Sequence, residues 1–416
     1  MIHSGVRISG RFGGAIGGDS IADEIESSVS RCRVALATDL FAPVGRSPLA
    51  PQSPQACFDL LLGVPYDPRR MDVARRLRRD VSERGYVGDF AVERFLTLQA
   101  YLMALPRLLQ MPIPDSIKRQ FCVTCRHIAT LQEPDERLRL EGPAFAELAQ
   151  IVTLRRHHAG QCSFDVLRMP LAWMLKAHPL DVPGFLREVC FGMRGVHPVV
   201  EPHINYWRAN QIVLLKREHE RAIWRIAEFV EQQPAIKGLI TSSWLYAVET
   251  GEESPHLSWL REFYAGENAR IIDAGPALED AGFLVGNERR RQLYAKGLFR
   301  PRETIVLWAR ADMLAWARRH PELADGAGGR AAACTSKGIG ARSRAPTHRW
   351  RSGAWTLIDR RRQLYYHPRQ YIALVLVLPA LVGAMVAGAA WSAAAVLPAF
   401  VSLVACLWLL QYFFLQ

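Results

Sequence analysis

Apolar positions recur at helical spacing through the first two thirds of the chain. Asp67-Pro68 supplies an N-cap followed by a proline at the first helical position, which predicts a basic helix running to Arg84 and ended by Gly85. Asp89 opens a second helix over 90–109, shortened or kinked at Pro106. In a third, over 117–131, Ile117, Phe121, Cys125 and Ile128 fall on one face. Further helices are expected at 143–158, 165–177 and 183–191. A long helix over 206–233 carries Ile212, Leu215, Ile223, Ile226 and Val230 as its stripe and is stopped by Pro234.

After Pro234 the period changes. Residues 237–245, 269–273 and 303–308 read as strands separated by helices over 254–264, 288–296 and 312–319. Strands alternating with helices predict a small three-stranded α/β subdomain with a parallel core. Residues 1–56 are rich in Gly, Pro, Ser and Gln and are expected to be a disordered leader. The glycine run from Gly10 to Gly18 follows no buried strand, so it is not a phosphate loop. The expected organisation is a helical domain over 57–234, an α/β subdomain over 235–323 and a flexible basic linker over 324–370, with an apolar tail beyond: an α+β class overall.

Charge alters this picture at the C-terminus. All 92 acidic and basic residues precede residue 371, and Tyr371 to Leu410 is a run of 40 residues without one. A single span needs roughly 20 apolar residues. The run, broken near Gly388, therefore predicts a hairpin of two transmembrane helices within 371–416. Arg360, Arg361, Arg362 and Arg369 lie just before it. They are expected to meet anionic lipid headgroups and to hold the N-terminal region on the cytoplasmic side of an inner membrane. The net charge of +12 fits that partner, and no nucleic-acid partner is expected. The arginines of 69–84 lack interleaved aromatics or a helix-turn-helix companion. Eight cysteines spread over the whole length suggest reduced thiols rather than a disulfide framework.

Candidate chemistry is sparse. Cys122, Cys125 and His127 could ligate a metal, but they lack a regular second doublet, and the two cysteines suit the apolar face of their helix, so no metal is assigned. His203 is a candidate general acid or base because imidazole titrates near neutrality, although Pro198 and Pro202 place it in an extended loop. Ser243 stands at the end of a predicted strand, where open α/β sheets place their ligands. Arg289, Arg290 and Arg291 could face a phosphorylated ligand.

The run Glu288 to Gly297, with its Leu293-Tyr294-Ala295-Lys296, and the Leu298-Phe299 and strand that follow resemble the last segment of the N-acetyltransferase superfamily over about 25 residues. The resemblance implies acyl-CoA as donor and Tyr294 as proton donor to a thiolate leaving group. The family's glycine-containing pyrophosphate turn is not found between residues 237 and 320, where Gly275 and Gly282 do not match its spacing. Two functions follow as expectations. One is acyl or other group transfer from a CoA-type or phosphorylated donor through Ser243, His203, Tyr294 and the three arginines. The other is a non-catalytic membrane scaffold.

Overall fold

The computed structural model describes residues 20–325 apart from 86–89, 132–137, 141, 205–213 and 278–286. Helices come first. They are α1 (Ile21–Leu36), α2 (Ala42–Gly45), α3 (Pro54–Gly63), α4 (Pro68–Glu83), α5 (Ala91–Gln110), α6 (Asp115–Thr130) and α7 (Pro143–Val152). Strands β1 (His157–His158) and β2 (Cys162–Arg168) follow, then α8 (Val182–Arg187), β3 (Pro198–Ile204) and α9 (Lys216–Gln232). The last part holds β4 (Gly238–Ser243), α10 (Val248–Glu253), α11 (Trp259–Gly266), β5 (Arg270–Pro276), α12 (Glu288–Ala295), β6 (Arg302–Ala309) and α13 (Arg310–Arg319).

The six strands make one sheet in the order β1-β2-β3-β4-β6-β5. Pairing is antiparallel except between β3 and β4. The α+β expectation of a helical region beside a three-stranded parallel subdomain is thereby corrected. The sheet reaches back to residue 157, β6 lies between β4 and β5, and both pair with it antiparallel. Two segments read as helix or loop are strands. Apolar Cys162, Phe164 and Val166 alternate with Ser163 and Asp165 along the sequence, the period of a strand rather than of a helix, with Ser163 buried as well and Val166 exposed. Pro198 to Ile204 pairs with β2 along its whole length. The transmembrane hairpin was assigned to 371–416, outside the described residues, and no helix among the described residues is long and apolar enough to cross a membrane. The basic linker beyond residue 325 and the arginines expected to meet lipid headgroups lie outside them too.

The supposed leader also contains structure. Ser20 accepts from the Asp23 amide while Asp23 accepts from Ser20 N–H, a capping box that opens α1. Helix α1 then buries Ile25, Ser28, Cys32 and Ala35, and its small residues give a weak hydrophobic signal. Helix α4 begins as expected, with Asp67 accepting from the Arg69 amide at 2.9 Å. Helix α6 buries Ile117, Phe121, Cys122, Cys125 and Ile128, the face its spacing predicted.

Side-chain alternation gives the sheet two faces. Val200, Leu239, Val306 and Trp308 pack with the helices of the main core, including Ile226 and Val230 of α9 and Trp316 of α13. Val199, Ile240, Ile272, Ile305 and Leu307 turn the other way, onto Met174, Phe185, Val189 and Met193 from the connection between β2 and β3. At ~25 cal/mol per Å² of apolar area, each such side chain contributes about 1.5–3 kcal/mol. Gly238 opens β4 because a Cβ there would run into the Trp308 carbonyl oxygen. Helix α9 ends against Arg310, whose guanidinium donates to the carbonyls of Val230, Glu231, Gln233 and Ile236, groups that a helix end leaves unpaired.

Candidate functional site

The parallel strands β3 and β4 part almost as soon as they meet. Their ladder has one register pair, Val200 with Leu239. Lys237 N–H donates to the Pro198 carbonyl at 2.9 Å before it, and beyond it the crossing is made by a side chain, Thr241 Oγ1 to the Pro202 carbonyl at 3.3 Å. A strand residue presents its N–H and C=O to the same neighbour, so Pro198, Val200 and Pro202 all direct their backbone toward β4. Proline has no N–H. Pro202 therefore removes the donor that would have carried the ladder forward, and the two strands open toward their C-terminal ends.

At that opening a polar group gathers on one face. His203 lies opposite Ser163 in the β2–β3 register, and Asp165 lies opposite Glu201. His203 Nε2 sits 3.1 Å from Asp165 Oδ2. Arg156, in the turn after α7, grips the same carboxylate with Nε at 3.0 Å from Oδ1 and Nη2 at 2.6 Å from Oδ2. Burial works to raise Asp165, but the bonds from His203 and Arg156 outweigh it and hold the carboxyl well below its usual range. An ionised carboxylate only accepts, so His203 Nε2 carries a proton and Nδ1 is the basic nitrogen of the neutral ring. Ser163 Oγ donates to Glu147 Oε1 at 2.6 Å, and burial raises the Glu147 carboxyl despite the nearby Arg156 charge.

Three residues beyond the Val200–Leu239 pair stand His203 on β3 and Ser242, rather than Ser243, on β4. Ser242 shares the face of Ile240; its Oγ donates to Glu303 Oε1 at 2.6 Å, and Lys176 Nζ lies 3.9 Å from that same oxygen. The two rims of the opening are thus His203–Asp165–Arg156 and Ser242–Glu303–Lys176. Ser243 points to the other face and caps the turn after β4, accepting from the Leu245 amide at 3.2 Å.

The predicted arginines are at the same end of the sheet, since β6 starts where β4 finishes. Arg290, however, is taken up by protein groups. Its Nε is 2.9 Å from Glu253 Oε2, its Nη2 is 3.0 Å from Ser254 Oγ, and its guanidinium covers the Trp244 ring. Arg291 pairs with Glu288 on its own helix, and Arg289 is exposed, 3.8 Å from Glu253. Tyr294 packs against the core edge with Arg300 over its ring at 3.9 Å. A cavity of about 480 Å³ lies there, lined among others by Glu249, Glu253, Arg289, Phe299 and Arg300. Among the described residues, Arg290 and Tyr294 make contacts with Glu253, Ser254, Trp244 and Arg300, and His203 makes its own with Asp165. Asp165 and Arg156, which orient His203, went unremarked in the sequence, although Asp165 falls in the alternating run of β2.

A second constellation has the ordering of a nucleophile and base but not the environment. Cys162 Sγ is 3.6 Å from His219 Nδ1, and Tyr264 Oη is 3.4 Å from His219 Nε2. Burial pushes the Cys162 thiol up to about 12 and His219 down to about 4. A neutral thiol and a neutral imidazole, sealed in the core, supply no thiolate. Cys122 and Cys125 are likewise buried, with Cys125 Sγ 3.2 Å from Cys32 Sγ of α1. No group of three metal-ligating side chains occurs among the described residues.

No protein-family profile matches the chain, and no curated protein matches it. A solved structure, that of an acyltransferase in complex with decanoyl-CoA, is similar to it with a TM-score of 0.34 and 14% identity, over 68% of this chain and 99% of the other.

Proposed function

We propose that the chain transfers an acyl group from a CoA-type thioester to a nucleophilic acceptor at the mouth between β3 and β4. The observation that carries this reading is the parting of the two strands at Pro202 directly beside the His203–Asp165 pair. The backbone ladder between the strands stops there, and on the β3 side Pro202 has no N–H and its carbonyl is taken by Thr241, so an extended, amide-bearing donor would pair with the β4 edge. His203 Nδ1 takes the proton of the acceptor as its heteroatom bonds to the acyl carbon. The carbon–sulfur bond then breaks and the thiolate leaves, to be protonated by solvent or by a neighbouring acid. Asp165 positions the ring and stabilises the imidazolium that forms, while Arg156 keeps Asp165 charged.

The test is a titration of the full chain with acetyl-CoA and longer acyl-CoAs, following melting temperature and, with an amine or alcohol acceptor present, release of free thiol. Saturable stabilisation is expected, because a ligand bound by the folded state alone raises stability. His203→Gln should keep that stabilisation and lose thiol release by 100-fold or more, within the usual ~10²–10⁴ range for general-base catalysis. No thermal shift with any acyl-CoA would return the protein to the non-catalytic scaffold reading.

A further inference from the structure

The connection between β2 and β3 presents an outward face that folding does not use. Across 182–193 the inward stripe is Val182, Phe185, Leu186, Val189 and Met193, and all of it packs under the sheet. The outward positions carry Leu180, Pro183, Arg187, Cys190, Phe191 and Arg194, each exposed. Leu180 is 84% and Phe191 80% exposed, although a solvated helix face ordinarily carries polar residues. A π-helical turn over Glu188–Gly192 widens the last part of the helix and turns Cys190 and Phe191 outward together. These six positions hold two arginines, and the carboxylates of the same stretch, Asp181 and Glu188, are half-buried beside them.

We propose that this face docks on the surface of an anionic lipid bilayer. Apolar side chains flanked by arginines are the pattern of a helix lying in the headgroup plane, where the first enter the acyl boundary and the second meet phosphate. One feature of the chain points to lipid rather than to a protein groove. Most of its net charge of +12 falls in residues 326–416, outside the description, where eight arginines between 342 and 369 precede the charge-free run of 371–410. A chain so composed meets an anionic surface at high local concentration.

Cys190 provides the probe, since every other cysteine among the described residues is buried. The full chain, with Cys334 and Cys406 changed to serine, is labelled at Cys190 with an environment-sensitive nitrobenzoxadiazole dye. Vesicles of phosphatidylcholine and phosphatidylglycerol in a 7:3 ratio should shift its emission to the blue and protect it from aqueous iodide, whereas pure phosphatidylcholine should not. Arg187→Glu with Arg194→Glu should raise the lipid concentration at half-shift by tenfold or more. Phe191→Glu, at a position too exposed to matter for folding, should abolish the shift. Because the dye reports only its own surroundings, binding of the chain through another segment leaves it in water and overturns the proposal. A dye already shielded before lipid is added also overturns it, as it would mean that the chain's own apolar run or a second copy covers this face.

Discussion

Acidification tests the buried imidazole of His219. Its ring is 1% exposed among Trp259, Phe263 and Tyr264, and burial holds it neutral by lowering its pKa to about 4. In the unfolded chain the same ring titrates at about 6.5. Between these values the unfolded state binds the extra proton, so stability falls as pH drops through that window. At pH 5.0 the unfolded ring is almost wholly protonated and the native one almost wholly neutral. With 1.36 kcal/mol per pKa unit, the loss at pH 5.0 relative to pH 7.5 is about 2 kcal/mol. His157, also lowered to about 4, acts in the same window, so the measurement is a difference between wild type and His219→Gln. Urea unfolding followed by tryptophan fluorescence at both pH values should show the wild type losing about 2 kcal/mol more than the variant. Equal losses would mean that His219 is not held neutral in the folded protein, and the account of the Cys162–His219–Tyr264 cluster as inert would fail with it.

Three further outcomes are expected. Asp165→Asn leaves the Arg156 guanidinium, 11% exposed, without its counter-charge; it should lower stability by about 3 kcal/mol in urea titrations and reduce thiol release through a misdirected His203. Arg290→Ala removes the closer of two guanidinium partners of Glu253, leaving Arg289 at 3.8 Å, and should lower stability by about 1–2 kcal/mol, while any shift induced by acyl-CoA survives, because this arginine is already held by protein groups. Pro202→Ala returns an amide to β3, so the ladder with β4 can extend; melting temperature should rise in line with about 0.5–1.5 kcal/mol per bond, and acyl-CoA affinity should fall.

What could be read from the sequence was the local chemistry of each element. Asp67-Pro68 marks the start of α4, the stripe of α6 is the stripe that is buried, and β4, β5 and β6 fall at the three predicted strands. Pairing was not legible, because whether β6 lies outside β4 or between β4 and β5 is decided by packing on both faces rather than by any local residue. Prolines misled the reading of β3. Pro198 and Pro202 argue against an interior strand, yet they are accommodated because their missing donors face the side where the sheet opens. The candidate site shows the same division. His203 was singled out in the sequence, but the groups that orient it come from a strand read as a helix and from the turn before it. Ser243 and its neighbour Ser242 lie on opposite faces, and the sequence alone does not say which face meets the rest of the candidate site.

The place of β6 also bears on how the protein is made. Among the described residues the sheet's last strand in sequence is an interior strand, so a nascent chain that ends before residue 302 holds β4 and β5 with nothing between them. The helices up to α7 are complete long before that and can pack on one another, α1 against α6 across about ninety residues included, whereas β4 cannot close against β6 until a further stretch of more than sixty residues has been made. During synthesis the N-terminal helices therefore stand ready while the opposite half waits for 302–309 to emerge and slide between its neighbours. Pauses in translation just upstream of that point would prolong the interval in which two bare strand edges are open to pairing with another chain.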